Sequence, residues 1–225
     1  EFVIKKFNIS SLKIKVLPSC VDLNKYDGIK ERSNIRKKLG FEDSTYYILH
    51  TGSPYEGRGV EEFIKLCKLS NDIFFIHIGG TEKELLDIKL LAEKNGIKNF
   101  QLLTTLPEKD VIEYQIAADL LFYIITDKWP TFWCCSPMKI PEYMASNTPI
   151  LASSIGSITE ILDEKISFLF TLNGKNMVKS FLDIRLDPEA AKNKAFYARE
   201  KVESFYTWDI RAKSLLDFIE NNKKI

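Results

Sequence analysis

Short apolar runs of strand length alternate with helical patterns along almost the whole chain, and this alternation constrains the fold more than any other feature. Tyr46–Thr51 (YYILHT), Ile73–Ile78 (IFFIHI), Phe100–Leu103, Leu120–Ile125, Pro149–Ala152 and Ser167–Phe170 read as strands. They are nearly continuous in apolar residues, as strands covered on both faces are. Helical patterns fall between them: Ser33–Leu39 stopped by Gly40, Val60–Leu69, Glu82–Asn95 capped by Thr81 and stopped by Gly96, and Pro107–Ala118. Leu12–Leu17 is a further β-branched run that ends at Pro18. Strands each followed by one helix are βα units, which build a parallel sheet with helices on both faces. The expected fold is therefore α/β, a doubly wound parallel sheet over residues 13–187. Residues 188–225 read as a C-terminal helical tail without a strand.

Composition narrows the function classes. The 225 residues are 45% hydrophobic and carry a formal net charge of +1, so no basic field points to nucleic acid. The lysines are spread over helix faces, as solvated surface. There are four cysteines, Cys20, Cys67 and the adjacent Cys134 and Cys135, and no CxxC pair. His50 and His77 lie inside apolar runs and read as core residues. Neither pattern favours a metal site, and no cofactor motif is apparent. A reduced, cytoplasmic chain is the simplest expectation. No apolar run is long enough to span a bilayer, and no signal peptide is seen.

In a doubly wound sheet, ligands bind at the carboxyl ends of the strands near the point where strand order reverses. The loops that matter are then 52–59, 79–81, 104–109, 126–138 and 153–157. The first, GSPYEGRG, leaves a strand and opens a helix. Its glycines let backbone approach a ligand, and Arg58 offers a fork suited to a diphosphate. It is neither a GxGxxG fingerprint nor a P-loop, since no GK[ST] follows, and no acidic residue ends IFFIHI to hold a ribose. These absences argue against a nicotinamide dehydrogenase. The second feature is CCSPMKIPEYMASNTPILAS, residues 134–153: a loop with Ser136 and Pro137, a helix opening near Met138 beside Lys139, and Glu142 one turn on. A carboxylate so placed can accept hydrogen bonds from ribose hydroxyls.

SPMKIPEYMASNTPILAS resembles the donor-site motif of retaining GT-B glycosyltransferases of family four, the glycosyl transferases group 1. Three more segments match in order. KIKVLPSCVDLNKY is similar to the interdomain segment, ILHTGSPYEGRGVEEFIKL to the phosphate-binding βα unit, and FIHIGG with NFQLLTTLPEKDVIEYQIAADLLFYI to the units that follow. A weaker match, FYTWDIRAKSLLDFI, lies in the tail. The resemblance implies a Rossmann-like, C-terminal donor-binding domain of a hexosyltransferase-like, metal-independent enzyme. Its donor would be a UDP- or GDP-sugar and its acceptor a glycan or lipid-linked sugar, as in polysaccharide biosynthesis. Arg58 and Glu142 are implied as the catalytic pair, on the diphosphate and the ribose. Gly52, Ser53, Gly79, Ser136, Pro137, Met138 and Lys139 would surround the nucleotide sugar, and the loop with Thr104, Thr105 and Leu106 would pack on the base. Residues 1–12 would be the end of an N-terminal acceptor domain, the partner of this half. Peripheral association with the inner face of a membrane would come through the acceptor.

Three positions depart from the family pattern. Cys134 stands where the family's first glutamate of E-x7-E touches the transferred sugar; relatives with an SPxKxxEYMA-type sequence also lack that glutamate. Ser53 replaces an arginine after the leading glycine, and Cys20 replaces a glycine of the interdomain segment. Two alternatives therefore stand beside the enzyme reading: a non-catalytic nucleotide-sugar-binding module, and a sugar-nucleotide epimerase on the same fold. Trp129, Phe132 and Trp133 are read as packing their own loop rather than stacking on a sugar.

Overall fold

A computed structural model describes residues 2–29, 31–172 and 175–222. Among these, six parallel strands form one sheet: β1 (Tyr46–Thr51), β2 (Ile73–Ile78), β3 (Phe100–Leu103), β4 (Leu120–Tyr123), β5 (Ile150–Ser153) and β6 (Phe168–Phe170). Their order is β3-β2-β1-β4-β5-β6. The chain thus builds outward from β1 in one direction and then returns to build from β4 in the other, which places the switch point between β1 and β4. The β1–β2 register runs from Tyr46 opposite Ile73 to Thr51 opposite Ile78, and sets His50 directly beside His77.

The helices are α1 (Phe2–Phe7), α2 (Asn24–Asp27), α3 (Arg32–Leu39), α4 (Phe63–Cys67), α5 (Glu82–Lys94), α6 (Glu108–Ala117), α7 (Lys139–Ala145), α8 (Ile158–Ile161), α9 (Lys175–Leu186), α10 (Pro188–Phe205) and α11 (Trp208–Asn222). The period-2 geometry of the strands splits the core into two layers. Leu49, Leu121 and Tyr123 face a cluster with Tyr143 and Met144 of α7. Ile48, Leu120 and Phe122 face the opposite cluster, which holds Phe63, Phe75 and Phe181. Phe63 stacks on Phe75 at 4.2 Å between centroids, and both are fully buried. Truncating either to alanine removes about 3–5 kcal/mol.

Local chemistry explains where elements start and stop. Thr81 and Glu84 close α5 reciprocally: Thr81 N–H donates to Glu84 Oε2 at 2.7 Å, and Glu84 N–H donates to Thr81 Oγ1 at 3.4 Å. Asp187 caps α10 by accepting from Ala190 N–H at 2.9 Å, with Pro188 in the first turn. Several boundaries differ from the sequence expectation. The helix expected over Val60–Leu69 is a 3-10 turn, Val60–Glu62, followed by the short α4. Its N-terminus has no side-chain cap to hold the α geometry. Leu12–Leu17 forms no strand: Ser11–Lys13 is a 3-10 turn, and Leu12 and Val16 are exposed, so the run buries little apolar surface. β4 stops at Tyr123 because Ile125 N–H donates to the Ser153 hydroxyl at 3.0 Å instead of to a ladder carbonyl. The tail is helical as expected but breaks at Tyr206–Thr207, where Val21 bridges Thr207 and Val21 N–H donates to Tyr206 O at 2.9 Å. Its last residues, 223–225, lie outside the described residues.

Candidate nucleotide-sugar site

Two cavities meet at the carboxyl edge of the sheet, beside the switch point. The first, of about 330 Å3, lies over the ends of β1 and β2, with Leu106, Val111 and Ile112 on one side and Lys139 and Glu142 on the other. The second, of about 310 Å3, is bounded by His50, Arg58, Tyr123 and the backbone run from Cys135 to Lys139. Thr51, Gly52, Ser53 and Lys139 line both, so the two form one bent cleft. Each has the volume of a small-ligand subsite.

The glycine loops bring backbone to this cleft. Gly79 has φ +134°, and a Cβ there would lie 2.3 Å from Gly52 O. Only glycine lets the ends of β1 and β2 touch in this way. Gly57 does the same for the longer loop: a Cβ there would lie 2.5 Å from Trp129 N, and Gly57 O accepts from Thr126 N–H at 2.8 Å. The 52–59 loop and the aromatic 126–138 loop are therefore in direct backbone contact.

That contact shapes Arg58. Its guanidinium lies 4.4 Å over the Trp129 ring, and Tyr55 stacks parallel on Trp129 at 6.0 Å. Arg58 Nη1 donates to Tyr123 Oη at 3.2 Å, and burial pushes that phenol up to about 12, so it stays neutral. Arg58 Nε is buried with no partner among the described residues, as is Trp129 Nε1. The guanidinium is thus held by a ring and a phenol, and no carboxylate among the described residues pairs with it.

Beneath the second cavity sits a buried histidine pair, His50 Nδ1 and His77 Nδ1, 3.0 Å apart. His77 Nε2 lies 3.1 Å from Gly79 O, which can only accept, so the network assigns the proton there. His77 Nδ1 is then the acceptor for His50 Nδ1–H. Burial lowers His77 to about 4 and lowers His50 well below the ordinary imidazole value; His77, Arg58 and Lys139 push His50 further in the same direction. Both imidazoles are neutral near pH 7.

On the first cavity's side, Glu142 is anchored from within. Lys139 Nζ donates to Glu142 Oε2 at 2.9 Å, and Gln115 Nε2 donates to the same oxygen at 3.3 Å. The neighbouring Tyr143 fixes α7 to the sheet: its hydroxyl accepts from Thr51 N–H at 2.9 Å and lies 3.0 Å from Thr51 Oγ1. Glu142 and the end of β1 are thereby held in register.

The residues expected from sequence are distributed as follows. Gly52, Ser53, Gly79, Thr105, Leu106, Lys139 and Glu142 line the first cavity; Gly52, Ser53, Arg58, Ser136, Pro137, Met138 and Lys139 line the second. Thr104, exposed just beyond the end of β3, lines neither, contrary to the sequence expectation; the loop reaches the first cavity with Thr105 and Leu106. Ser136 Oγ is engaged by the segment ahead of α2, accepting from Ser19 N–H at 3.2 Å and lying 2.9 Å from Ser19 Oγ. The helix expected to open at the phosphates is α7, seven residues long, so its dipole adds little beyond its first free N–H groups. His77 is a core residue as read, whereas His50 is buried and also lines the second cavity. Trp129 packs as read, but against Arg58; Trp133 is exposed. Tyr26, Gln115 and Tyr123 were not singled out, since nothing in their local sequence separates them from ordinary core positions. Among the described residues, no three His, Cys, Asp or Glu side chains gather in a metal-holding group, and no helix is long and apolar enough to cross a membrane.

A parallel sheet in this strand order, with a bent cleft at its switch point, defines a doubly wound α/β domain. Comparison with known proteins carries this to a family: residues 31–201 match the model of "Glycosyl transferases group 1", and the chain belongs to that family. It is 21% identical over 218 residues to an alpha-galactosylglucosyldiacylglycerol synthase of Streptococcus pneumoniae, which covers 92% of this chain and 55% of that protein. Among solved structures, a sucrose-phosphate synthase from Thermosynechococcus elongatus superposes with a TM-score of 0.82 at 15% identity, over 99% of this chain and 56% of the other. HepE of Anabaena in complex with UDP-glucose gives 0.77 at 17% identity, over 94% and 57%. The C-terminal domain of a group 1 glycosyl transferase from Francisella tularensis gives 0.64 at 17% identity, over 84% of this chain and 99% of that one. The chain thus spans a little over half the length of the full-length relatives it matches, and its fold is that of a GT-B C-terminal domain.

Proposed function

We propose that this chain is the donor-binding half of a retaining, metal-independent glycosyltransferase of family four that uses a UDP-sugar. The observation that carries this reading is the bent cleft. One arm presents a carboxylate, Glu142, and the other a guanidinium, Arg58, that pairs with no carboxylate among the described residues, with Ser53 and Lys139 at the bend. A nucleoside diphosphate has matching chemistry. The base packs on Leu106 and Ile112, the ribose hydroxyls meet Glu142, and the diphosphate lies between Arg58 and Lys139. Developing charge on the leaving diphosphate is stabilised by those two cations, so no bound metal or other cofactor is called for. A sugar on the second phosphate would reach the loop of Trp129 and Cys134.

Transfer needs an acceptor domain facing this cleft. In support, α11 buries none of its residues and exposes Trp208, Leu215, Leu216 and Ile219, a face suited to packing against a second domain. The acceptor reading, a glycan or lipid-linked sugar at the inner face of a membrane, rests on the family alone. The test is calorimetric titration of UDP, GDP and ADP in the presence of EDTA. UDP is expected to bind; binding of GDP or ADP without UDP overturns the choice of donor, and absence of binding by all three at millimolar concentration sinks the whole proposal. The non-catalytic alternative draws on Cys134, which puts a thiol where a carboxylate would meet the sugar. Sugar transfer from UDP-glucose by the protein with its acceptor domain separates it from the enzyme reading.

A further inference from the structure

Glu142 is the end of an interior chain of hydrogen bonds whose middle link is an amide. Gln115 belongs to α6 and is fully buried. Burying such a group without partners costs roughly 2–7 kcal/mol, so the partners it has define its role. Tyr26, on α2, donates its hydroxyl to Gln115 Oε1 at 3.0 Å. Burial raises the Tyr26 phenol far above its ordinary value, and nearby Glu142 adds to the effect, so the group remains a donor. This donation settles the orientation of the amide. Nε2 faces Glu142 Oε2 at 3.3 Å, whereas the flipped amide would set Oε1 against a carboxylate, acceptor against acceptor.

Glu142 Oε2 therefore accepts from two donors, Gln115 Nε2 and Lys139 Nζ, and the described residues leave Oε1 without one. Lys139 also lines the second cavity, so a bound diphosphate competes with Glu142 for its ammonium. Gln115 lines neither cavity and has no such competitor. It is the anchor that persists when the site fills. We infer that Gln115 is a positioning residue for nucleoside recognition: locked by Tyr26, it holds Glu142 with one carboxylate oxygen free for the ribose hydroxyls. This rests on Glu142 as the ribose ligand.

The experiment is calorimetric titration of UDP and of 2′,3′-dideoxy-UDP into wild type, Gln115→Met, Tyr26→Phe and Glu142→Ala. Methionine keeps the length of the side chain and removes its donor. Gln115→Met is expected to weaken UDP binding roughly fivefold and Tyr26→Phe about twofold, with affinity for the dideoxy nucleotide unchanged in both. Adding Gln115→Met to Glu142→Ala is expected to cost nothing further, since the group it positions is gone. Wild-type affinity for UDP in Gln115→Met, with Glu142→Ala impaired, overturns the inference and leaves the ribose assignment standing. Equal losses for both nucleotides overturn it by showing a merely structural role. Wild-type binding by Glu142→Ala removes the ribose assignment and this inference with it. Should Gln115→Met fail to melt cooperatively, Tyr26→Phe carries the same comparison of the two nucleotides.

Discussion

The two arms of the cleft share four residues and part of their floor, yet they manage charge in opposite ways. In the first arm, charge is paired inside the protein: Glu142 takes Lys139 and Gln115, and at the rim Lys25 and Glu108 form a pair at 2.7 Å. In the second arm, neutral groups support the cation. Arg58 rests on an indole and a phenol, over two neutral imidazoles. Pairing fixes an acceptor in space and suits recognition of hydroxyls, where geometry discriminates. Leaving a cation unpaired in a partly buried site keeps its full attraction for an incoming anion, because no internal carboxylate must be displaced first. On the proposed function, the contrast gives recognition to the first arm and anion capture to the second.

The largest effect expected from this contrast concerns the neutral floor. His77 titrates at about 4 in the folded chain against an ordinary value of 6.5, and His50 is lowered as well. Between those values the unfolded state binds more protons than the folded one, so stability is complete above about pH 6.5 and is lost as pH falls. His77 alone accounts for about 2 kcal/mol by pH 5 and about 3 kcal/mol in all, with His50 adding in the same direction. Urea melts at pH 7.5, 6.0 and 5.0 measure this, in a range above most carboxylate titration. Unchanged stability across it means that the pair is charged or open to water, and the neutral-floor account fails.

Next in size is Arg58→Ala, which removes the unpaired cation. UDP and inorganic pyrophosphate should both bind about a hundredfold more weakly, the cost of losing charge-assisted hydrogen bonds in a partly buried site. Arg58→Lys should recover only part of this, since an ammonium lacks the planar fork that stacks on Trp129 while reaching Tyr123. Titration of both ligands into both variants is the check. If Arg58→Ala loses UDP but keeps pyrophosphate, the second arm is not the anion arm.

How much of this was legible in the chain follows from where each signal lives. β1 and β2 run over the residues expected, because a strand buried on both faces must be nearly continuously apolar and polar turns bound it; the edge strand β3 also does, with Gln101 exposed. Thr81 announced the start of α5 for an equally local reason, its capping box with Glu84. Arg58, Glu142 and the glycine loops were legible because they lie in strand-end loops or directly after them. What escaped was set by contacts far apart in sequence. Gln115 and Glu142 are 27 residues apart, and Tyr26 and Gln115 are 89 apart. A buried glutamine in the last turn of a helix looks, in sequence, like any polar residue on a solvated face. The end of β4 was overrun for the same reason, since the hydroxyl that ends it belongs to Ser153.

The smallest expected effect is the most discriminating, because it compares two residues of one motif. Glu142 lines the first arm; Cys134 is exposed in the loop beyond the second and lines neither. Glu142→Ala should weaken UDP about tenfold, through lost hydrogen bonds to a charged acceptor worth roughly 1.5–3 kcal/mol before Lys139 is freed toward the phosphates. That release acts in the opposite direction, which places the expected loss near the lower end of the range. Cys134→Ala removes no group that faces a free nucleoside diphosphate, so its affinity for UDP should be that of wild type. With UDP-glucose the two should differ in kind. Glu142→Ala should lose the same factor as with UDP, because the ribose is common to both ligands. Cys134→Ala should change only the ratio of UDP-glucose to UDP affinity, because only the sugar extends toward that loop. Four titrations, with circular dichroism to confirm folding, decide it. If Glu142→Ala binds UDP as wild type does, the first arm does not hold the ribose. If Cys134→Ala weakens UDP itself, the sugar loop reaches the nucleotide, and the division of the cleft into two arms is wrong.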